Sequence, residues 1–282
     1  MGYVYVYVSG LCMHATEQLY LCFTGSELNR YDTDVCYLFR QESFFLYLFG
    51  VNEPDLLAVL DLSAREAMLF IPRVSAEYEL WCGKAQPPEA YLRTNRVDAV
   101  FFTDEVEQVL SQRGIEVLHV ITGQNSDSKL HFDTPKHEVM KHRHVDASLL
   151  YEEIVECRVI KSQEEVDVLS YVGRISSEAH VQIMKQVRPG MFEYQLEGIF
   201  KGFCISEGGC RYLGYTCISC TGKNSSVLHY GHATAPLECQ IRPNDMLLLD
   251  MGAEYQGYCA DITCSFPAGG KFNDDHREGK LE

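Results

Sequence analysis

A change in hydrophobic periodicity near residue 160 constrains the fold of this chain more than any other feature. Before that point, short apolar runs separated by polar turns indicate strands, with one short helix among them. Beyond it, apolar residues recur at helical spacing up to Pro189, and a second helical pattern ends at Gly208-Gly209. The region from 212 onward is rich in strands. The sequence therefore predicts an α/β domain, followed by a helix pair that leads into a sheet.

The first half carries specific strand and helix signals. The segment "DLLAVLDLSAREAMLFIPR" predicts two strands joined by a turn near residues 63–65, and "IEVLHVIT" predicts a buried strand. In "TDEVEQVLSQRG", Thr103 and Gly114 mark the N-cap and the end of a short helix. Strands that alternate with helices are typical of an α/β fold.

A polar segment, residues 123–150, separates the two halves. His142 and His144 alternate in it, as ligands on a strand would, but no carboxylate pattern accompanies them, which favours a solvated linker. We therefore place the domain boundary near residue 150. Beyond it, Ser162 and Glu165 form a capping box that opens the first long helix. The apolar face of that helix is predicted to consist of Val166, Leu169, Val172, Ile175, Ala179 and Ile183.

Charge and composition exclude some classes of partner. The net charge of −16 argues against binding to nucleic-acid phosphates. The run "VYVYV" is too short to span a membrane, so no membrane is expected. The twelve cysteines are scattered, and the start lacks a secretory signal, so we expect reduced thiols and a cytoplasmic protein. Cys217 and Cys220 form one C-x-x-C, but no second pair completes a structural zinc site.

Asp250 and Asp261 are the most informative candidate site residues. "DMLLLDMG" and "YCADITCSF" both indicate strands. If Tyr255-Gln256 is the loop of a hairpin, the two aspartates lie directly opposite each other, on one face. Their Cβ atoms would then be about 4.5–5.5 Å apart. Ala260, Ile262, Cys264 and Phe266 take the other face, while Thr263 and Ser265 share the face of the carboxylates.

Two facing carboxylates repel each other unless a proton or a cation neutralises them. A pair of divalent metal ions about 3.5–4 Å apart would suit the spacing, and oxygen ligands favour Mn, Mg or Ca. Zn or Co would also fit a shell that mixes carboxylate and imidazole ligands. Two solvated aspartates on an edge hairpin would produce the same pattern, so the pair alone leaves both interpretations open.

The segment "NSSVLHYGHA" could bring a histidine to the same pocket. His229 and His232 precede Asp250, and we expect the segment to form the last strand before the hairpin. Gly231 gives the backbone extra freedom. The sequence contains neither G-x-S-x-G nor a P-loop, so nucleophilic serine and nucleotide chemistry have no support.

Taken together, several segments resemble the prolidases, the Xaa-Pro dipeptidases of the pita-bread group of metallopeptidases. The segments are "LFRQESFFLYLFGVNEP", "VECRVIKSQEEVDVL", "ISSEAH", "YTCISCTGKNSSVLHYGHA" and "LLLDMGAEYQGYCADITCSFP". The resemblance implies a creatinase/prolidase-like α/β domain over residues 24–150. It also implies the first half of a pita-bread catalytic domain over residues 151–273. We do not find the resemblance in residues 1–23, which we interpret as an atypical N-terminal extension. We do not find it in residues 274–282 either, which we interpret as a divergent polar tail.

The resemblance also implies a binuclear centre, commonly with two Mn²⁺ ions, held by two aspartates, one histidine and two glutamates. Asp250 and Asp261 match the aspartates, and Thr263 would help to orient Asp261. His229 matches the histidine that contacts the substrate and assists catalysis, and Tyr215 falls where the family lines the substrate pocket. The implied substrate is an Xaa-Pro dipeptide, and the implied assembly is a homodimer formed through the N-terminal domain, whose stretch "FFLYLFG" is apolar.

The remaining three ligands of that centre lie in a second half that we do not find in this sequence. His276, Glu278 and Glu282 sit on a charged stretch and are not expected to replace them. The chain is therefore expected to be an incomplete form of the enzyme, with little or no activity by itself. The alternative is a catalytically inactive fragment that acts as an interaction or dimerisation module.

Overall fold

The computed structural model describes residues 19–23, 26–95, 97–134, 136–231 and 237–278, with the backbone alone at 19–21 and 23. The chain divides into two compact units, residues 1–162 and 163–282. The division lies beyond the boundary predicted near residue 150, because helical residues Leu150 and Ile154 are buried in a core of the first unit.

The first unit is an α/β sandwich with helices on both faces of its sheet. Its elements in chain order are β1 (Leu19–Phe23), α1 (Ser43–Phe49), β2 (Leu57–Asp61), β3 (Glu66–Ile71), α2 (Ala76–Cys82), α3 (Pro88–Thr94), β4 (Ala99–Phe102), α4 (Val106–Gln112), β5 (Val117–Val120), β6 (Gly123–Gln124), β7 (His131–Phe132), β8 (His144–Asp146) and α5 (Leu150–Val159). The strand order in the main sheet is β4-β3-β2-β1-β5-β8.

The central strands of this sheet are buried on both faces. On β2, Val59 packs into one core with α4, whereas Ala58 packs into a second core with α1 and α5. Successive side chains of a strand point to opposite faces, so a continuous apolar run is what a strand covered on both sides requires. The α/β fold predicted for this half is confirmed.

Some local predictions in the first unit need correction. Thr103 is not an N-cap but lies inside a 3-10 turn, Thr103–Glu105, which precedes α4. The carboxylate of Glu105 accepts a hydrogen bond from the backbone of Phe102 instead. The supposed linker 123–150 contributes β8 to the main sheet, although His142 and His144 are exposed as expected.

The second unit consists of a helix pair packed on short strands. Its elements are α6 (Gln163–Gln186), α7 (Glu193–Gly208), β9 (Tyr212–Leu213), β10 (Ile218–Thr221), β11 (Met246–Asp250), β12 (Ala253–Tyr255), β13 (Tyr258–Cys259), β14 (Thr263–Pro267) and α8 (Asp274–Glu278). Strands β10, β11 and β14 form one antiparallel sheet, and β13, β12 and β9 form another.

The predicted helix pair is confirmed. The apolar face of α6 faces the core with Val172, Ile175, Ala179 and Ile183, while Val166, predicted on that face, is exposed. Gly209 follows α7 in a left-handed conformation and ends it as predicted. The predicted polar tail begins with α8, where His276 Nε2 lies 2.8 Å from the carbonyl of Asn244. Glu282 lies outside the described residues.

Candidate metal and peptide site

Asp250 and Asp261 lie on one face of the hairpin, but they are not directly opposite each other. Asp250 ends the central strand β11 and pairs with Thr263 of β14. Because Asp261 precedes Thr263 by two residues, it shares that face and lies diagonally across from Asp250. The predicted direct pairing is therefore wrong, whereas the predicted common face is correct. Ile262, Cys264 and Phe266 pack on the core, as expected for the opposite face.

The turn residues explain this difference in register. The turn consists of Gln256 and Gly257, which both have positive φ angles of 52° and 82°, and it is flanked by the pair Tyr255 and Tyr258. A two-residue hairpin turn of this type matches the twist of its strands and favours glycine at its second position. A loop at Tyr255-Gln256 would have placed the bulky Tyr255 in that strained conformation.

The hairpin is interrupted between the aspartates, because Met251 and Gly252 lie between strands β11 and β12, which belong to different sheets; we call this interruption the kink. It occurs at Gly252, where a Cβ atom would lie 1.7 Å from the carbonyl oxygen of Ala260. Only glycine permits so close an approach of the two backbones. The carbonyl of Gly252 accepts a hydrogen bond of 2.9 Å from the backbone N–H of Gly214, next to Tyr215. The kink thus fixes the loop that carries Tyr215 against the aspartate strands.

The hydroxyl of Tyr215 connects the two carboxylates. It donates to Asp250 Oδ1 and also lies 3.1 Å from Asp261 Oδ1. Burial, the hydrogen bond to Asp250 and the negative charges of both aspartates raise the pKa of Tyr215 above its ordinary value. Two carboxylates that converge on one point could also converge on a cation, which would neutralise them more completely.

A cavity of about 460 Å³ opens beside the carboxylates. Its walls combine acidic, aromatic and imidazole groups, as a small polar ligand would require. The lining residues are Tyr215, Thr216, Ile218, His229, Tyr230, Asp250 and Asp261. All four site residues selected from the sequence, namely Tyr215, His229, Asp250 and Asp261, therefore line one cavity.

The segment that carries His229 is not the strand that we expected. It contains a 3-10 turn, Gly222–Ser226, followed by a further turn that includes residues 228–231. Gly231 has a φ angle of 90°, and a Cβ atom there would lie 2.7 Å from the carbonyl oxygen of Cys217. His232 lies outside the described residues, so the expectation that His229 rather than His232 faces the carboxylates stays a prediction.

A buried carboxylate, which sequence reasoning missed, holds this wall of the cavity. Glu193 is completely buried at the start of α7. Its Oε1 accepts from the backbone N–H of Thr221 at 2.7 Å and from the amide of Asn224 at 2.9 Å. Its Oε2 accepts from the hydroxyl of Tyr230 at 2.8 Å. Since Tyr230 follows His229 directly, Glu193 determines where the histidine segment lies.

A buried histidine on α6 was also missed. His180 Nε2 lies 3.0 Å from the carbonyl oxygen of Met251, and its Nδ1 lies 3.2 Å from Cys264 Sγ. Its ring packs edge-on against Phe200. Burial lowers the pKa of His180, although the Met251 and Ile262 carbonyls and the charge of Asp250 oppose the shift. The segment "SSEAH" showed a histidine on an otherwise apolar helix face, which is the sequence signal for such a residue.

The other candidate ligands lie elsewhere in the described part of the chain. Cys217 and Cys220 are buried free thiols, and burial raises the pKa of each to about 12. Among the described residues, no group of three or more His, Cys, Asp and Glu side chains could hold a metal ion. Asp250 and Asp261 offer carboxylate oxygens, which are the ligands that hard divalent cations prefer.

Two family profiles match this sequence. The profile of metallopeptidase family M24 matches residues 167–279, which include both aspartates and the helix pair. The profile of the aminopeptidase P N-terminal domain matches residues 8–117. The second unit thus matches metallopeptidase family M24, and the first unit matches the N-terminal domain of aminopeptidase P. The region that matches family M24 begins on α6 and contains every site residue described above.

Curated relatives of this chain include two kinds of enzyme. The Xaa-Pro dipeptidases of Rattus norvegicus and Homo sapiens are each 46% identical to it over 253 residues, which cover 90% of this chain and 51% of the relative. The Xaa-Pro aminopeptidase of Escherichia coli is 34% identical over 270 residues, which cover 92% of this chain and 60% of the relative. The chain thus spans about half the length of the curated relatives it matches.

Solved structures of aminopeptidase P show the same architecture. The Zn-substituted Escherichia coli enzyme in complex with product superposes with a TM-score of 0.79 at 29% identity, covering 98% of this chain and 66% of that one. A variant of that enzyme in complex with substrate gives a TM-score of 0.77 at 31% identity, covering 93% and 60%. The expected pita-bread fold, in part, and its N-terminal domain are therefore confirmed.

Proposed function

We propose that this chain carries part of the active site of an Xaa-Pro dipeptidase, which hydrolyses dipeptides that end in proline. The observation that carries this proposal is the convergence of Asp250 and Asp261 on one hydroxyl at the edge of a cavity that His229 also lines. The higher identity to the dipeptidases than to the aminopeptidase supports a dipeptide as substrate over a longer peptide.

Asp250 and Asp261 would hold a divalent metal in this proposal, and two Mn²⁺ ions would occupy the complete centre. Their carboxylate oxygens suit Mn²⁺, and the hydroxyl that now bridges them shows that both side chains reach one point. A bound divalent ion would polarise the scissile carbonyl and make a water nucleophilic at neutral pH. The carboxylates would place that chemistry at one end of the cavity.

The remaining groups of the cavity would bind and orient the peptide. His229 would donate a hydrogen bond to the carbonyl oxygen of the scissile peptide, where negative charge develops, and could return a proton to the leaving nitrogen. Tyr230, fixed by Glu193, would form the wall beside it. Tyr215 would keep the carboxylates aligned and exclude water from one side of the site. Thr263, paired with Asp250, would help to orient Asp261.

A second candidate function concerns the 282 residues by themselves. Because the described residues supply no group of three metal ligands, these residues alone would bind a cation weakly and hydrolyse little or no substrate. They would then act as an interaction or dimerisation module. Both candidates share the same fold and predict little activity from the isolated chain, but they differ in whether the aspartates support hydrolysis once the rest of the centre is supplied.

Self-association through the first unit remains part of the proposal, but its surface differs from the one expected. In "FFLYLFG", Phe45 and Phe49 are buried in the core of their own unit and cannot face a partner. Leu80 and Trp81 on α2 are each 80% exposed and provide a more accessible apolar surface. Sedimentation velocity of the chain and of a Leu80→Glu, Trp81→Glu variant would test for a homodimer.

A cytoplasmic location is proposed as well. It is supported by the eleven free cysteines among the described residues, since reduced thiols are typical of the cytosol. In the part of the chain that the structure describes, no helix is both long and apolar enough to cross a membrane. Cell fractionation would test the location directly.

The experiment that tests the function compares Gly-Pro hydrolysis by two proteins with added Mn²⁺. One is the 282-residue chain, and the other has the C-terminal region of a related Xaa-Pro dipeptidase fused after Phe272. We expect little or no activity from the first and clear activity from the second, which Asp250→Asn should abolish. A fusion that binds Mn²⁺ and folds but fails to hydrolyse Gly-Pro would contradict the proposal.

A further inference from the structure

The kink between the two aspartates interrupts the cross-strand hydrogen bonds of the hairpin. Strand β11 ends at Asp250 and β12 begins at Ala253, so Met251 and Gly252 lie between the paired segments. The N–H of Met251 still donates to the carbonyl of Ile262 at 3.1 Å. Its own carbonyl and the N–H of Ala253 have no partner on the neighbouring strands. In a dry interior, each such group would cost free energy if it stayed unpaired.

Two side chains of α6 satisfy these two backbone groups. The N–H of Ala253 donates to Ser176 Oγ at 3.1 Å, and His180 Nε2 donates to the carbonyl of Met251 at 3.0 Å. Ser176 and His180 are four residues apart and therefore lie on the same helix face. Both are buried, with exposed fractions of 0% and 2%. The helix thus supplies one acceptor and one donor where the strands supply none.

The ring of His180 also reaches the second aspartate strand. Since its Nε2 donates to Met251, its Nδ1 accepts, and the thiol of Cys264 lies 3.2 Å away as the donor. Cys264 follows Thr263, the residue that pairs with Asp250. One imidazole therefore connects the strand that carries Asp250 with the strand that follows Asp261.

We propose that Ser176 and His180 are positioning residues, which hold the kink of the hairpin so that the carboxylates of Asp250 and Asp261 converge on one point. The proposal rests on the proposed function in one respect, namely that the converging carboxylates bind a divalent cation. Helix α6 bonds the carbonyl of Met251, the residue directly after Asp250, and the N–H of Ala253, two residues further along the chain. If either backbone group moved by about 1 Å, the two carboxylates would no longer both lie at coordination distance from one cation.

The test uses matched variants of the full chain. His180→Phe keeps an aromatic ring and removes both hydrogen bonds, while His180→Gln keeps a donor that can reach the Met251 carbonyl. Ser176→Ala removes only the acceptor for Ala253. Ser177→Ala is the control, because that neighbouring hydroxyl is exposed and bonds only to the carbonyl of Gly173 within its own helix.

Two readouts separate positioning from packing. The first is Mn²⁺ binding followed by electron paramagnetic resonance, at a temperature where circular dichroism shows each variant to be folded. We expect His180→Phe and Ser176→Ala to bind about tenfold more weakly or worse, as is typical when a partner that orients a ligand is lost. His180→Gln should recover part of the affinity, and Ser177→Ala should bind like the parent.

The second readout is amide hydrogen exchange, which needs no metal. The amide of Ala253 should exchange about tenfold faster in Ser176→Ala, which corresponds to the loss of its hydrogen bond. In His180→Phe the carbonyl of Met251 loses its donor, so the amides of Met251 and Ala253 should exchange faster because the kink opens more often. Amides at the centre of α7 should not change.

The outcomes distinguish this inference from the proposed function. If the parent binds no Mn²⁺, or if Asp250→Asn binds it equally well, the proposed metal site fails, and exchange at Met251 and Ala253 alone decides whether α6 holds the kink. If the parent binds, Asp250→Asn does not, and the folded His180→Phe and Ser176→Ala variants bind like the parent, the positioning role is overturned. Unchanged exchange in both variants would overturn it as well.

Discussion

The two sides of the cavity hold their functional groups in different ways. On the carboxylate side, Asp250 lies on the central strand of a sheet, and backbone pairings and a glycine kink determine where the aspartates point. On the histidine side, His229 follows a 3-10 turn outside any strand, and the side chain of Glu193 gathers that segment through three hydrogen bonds. The carboxylate side is positioned by main-chain geometry, supported by Ser176 and His180 of α6, whereas the histidine side is positioned by a single buried carboxylate.

This difference predicts different responses to mutation. A side positioned by backbone should tolerate the loss of a functional side chain without changing its shape, and should fail when the backbone itself is obstructed. A side positioned by one carboxylate should lose its order when that carboxylate is removed, although every backbone pairing of the sheet remains.

The largest effect is expected from obstruction of the kink. Gly252→Ala would place a methyl group 1.7 Å from the carbonyl oxygen of Ala260, so the hairpin would have to open. We expect a loss of about 3 kcal/mol or more in the free energy of unfolding, measured in urea by circular dichroism. Gly198→Ala on α7 is the control, because nothing lies within 4 Å of its added methyl group. A Gly252→Ala variant as stable as the parent would show that the kink is not as tight as described.

Removal of the Glu193 carboxylate should have the next largest effect. Glu193→Ala leaves the N–H of Thr221 and the donors of Asn224 and Tyr230 without their acceptor in a buried site. We expect a loss of about 3 kcal/mol in stability, with Glu207→Gln on the exposed face of α7 as a control within about 0.5 kcal/mol of the parent.

The Glu193→Ala variant also tests whether the two sides of the cavity are positioned independently. The nuclear magnetic resonance signal of the His229 ring should broaden or shift in Glu193→Ala, while the amide signals of β11 and β14 should keep their positions. Changes of equal size on both sides would mean that the two walls are not independent.

Sequence reasoning identified the elements of the carboxylate side but not what holds them. The alternation of polar and apolar residues was enough to place Asp250 and Asp261 on one face. It did not give the correct register of the hairpin, because the positive φ angle at Gly257 determines where the turn lies. The roles of His180 and Glu193 could not be read from the sequence. The partners of His180 lie 71 and 84 residues away in the sequence, and those of Glu193 lie 28 to 37 residues away, at groups that only the folded chain brings close.

A smaller effect is expected from the protonation of His180. Its pKa is lowered by burial, so the unfolded chain takes up a proton below pH values of about 6.5 while the folded chain resists it. The stability that this histidine contributes is complete above that pH and decreases as the pH falls below it. The groups that face it are the thiol of Cys264 and, further away, the carboxylate of Asp250.

Urea unfolding at several pH values between neutrality and mild acid would measure this dependence. Stability should fall more steeply with decreasing pH in the parent than in His180→Gln. The exposed His142 serves as control, since His142→Gln should keep the slope of the parent. Equal slopes for the parent and His180→Gln would contradict the neutral, buried state of this ring.

The smallest effect is expected from Tyr215→Phe, which removes the hydroxyl between the two carboxylates and keeps the ring. The loss of this hydrogen bond should cost about 1 kcal/mol in the absence of divalent ions. Tyr171→Phe, which removes a hydroxyl bonded to the carbonyl of Gly208, is the matched control. If Mn²⁺ neutralises the carboxylates, it should raise the Tm of Tyr215→Phe more than that of Tyr171→Phe, and equal increases would argue against a cation between them.

The location of a bound cation would show whether Asp250 and Asp261 form a metal site. Crystals of the chain soaked in MnCl₂ would be measured near the manganese absorption edge, and an anomalous difference map would show where the ion lies. We expect a peak within coordination distance of oxygens from both Asp250 and Asp261, at the edge of the cavity lined by His229, and no peak there in Asp250→Asn. A manganese peak elsewhere, or no peak between these two carboxylates while the parent crystals remain ordered, would contradict this expectation.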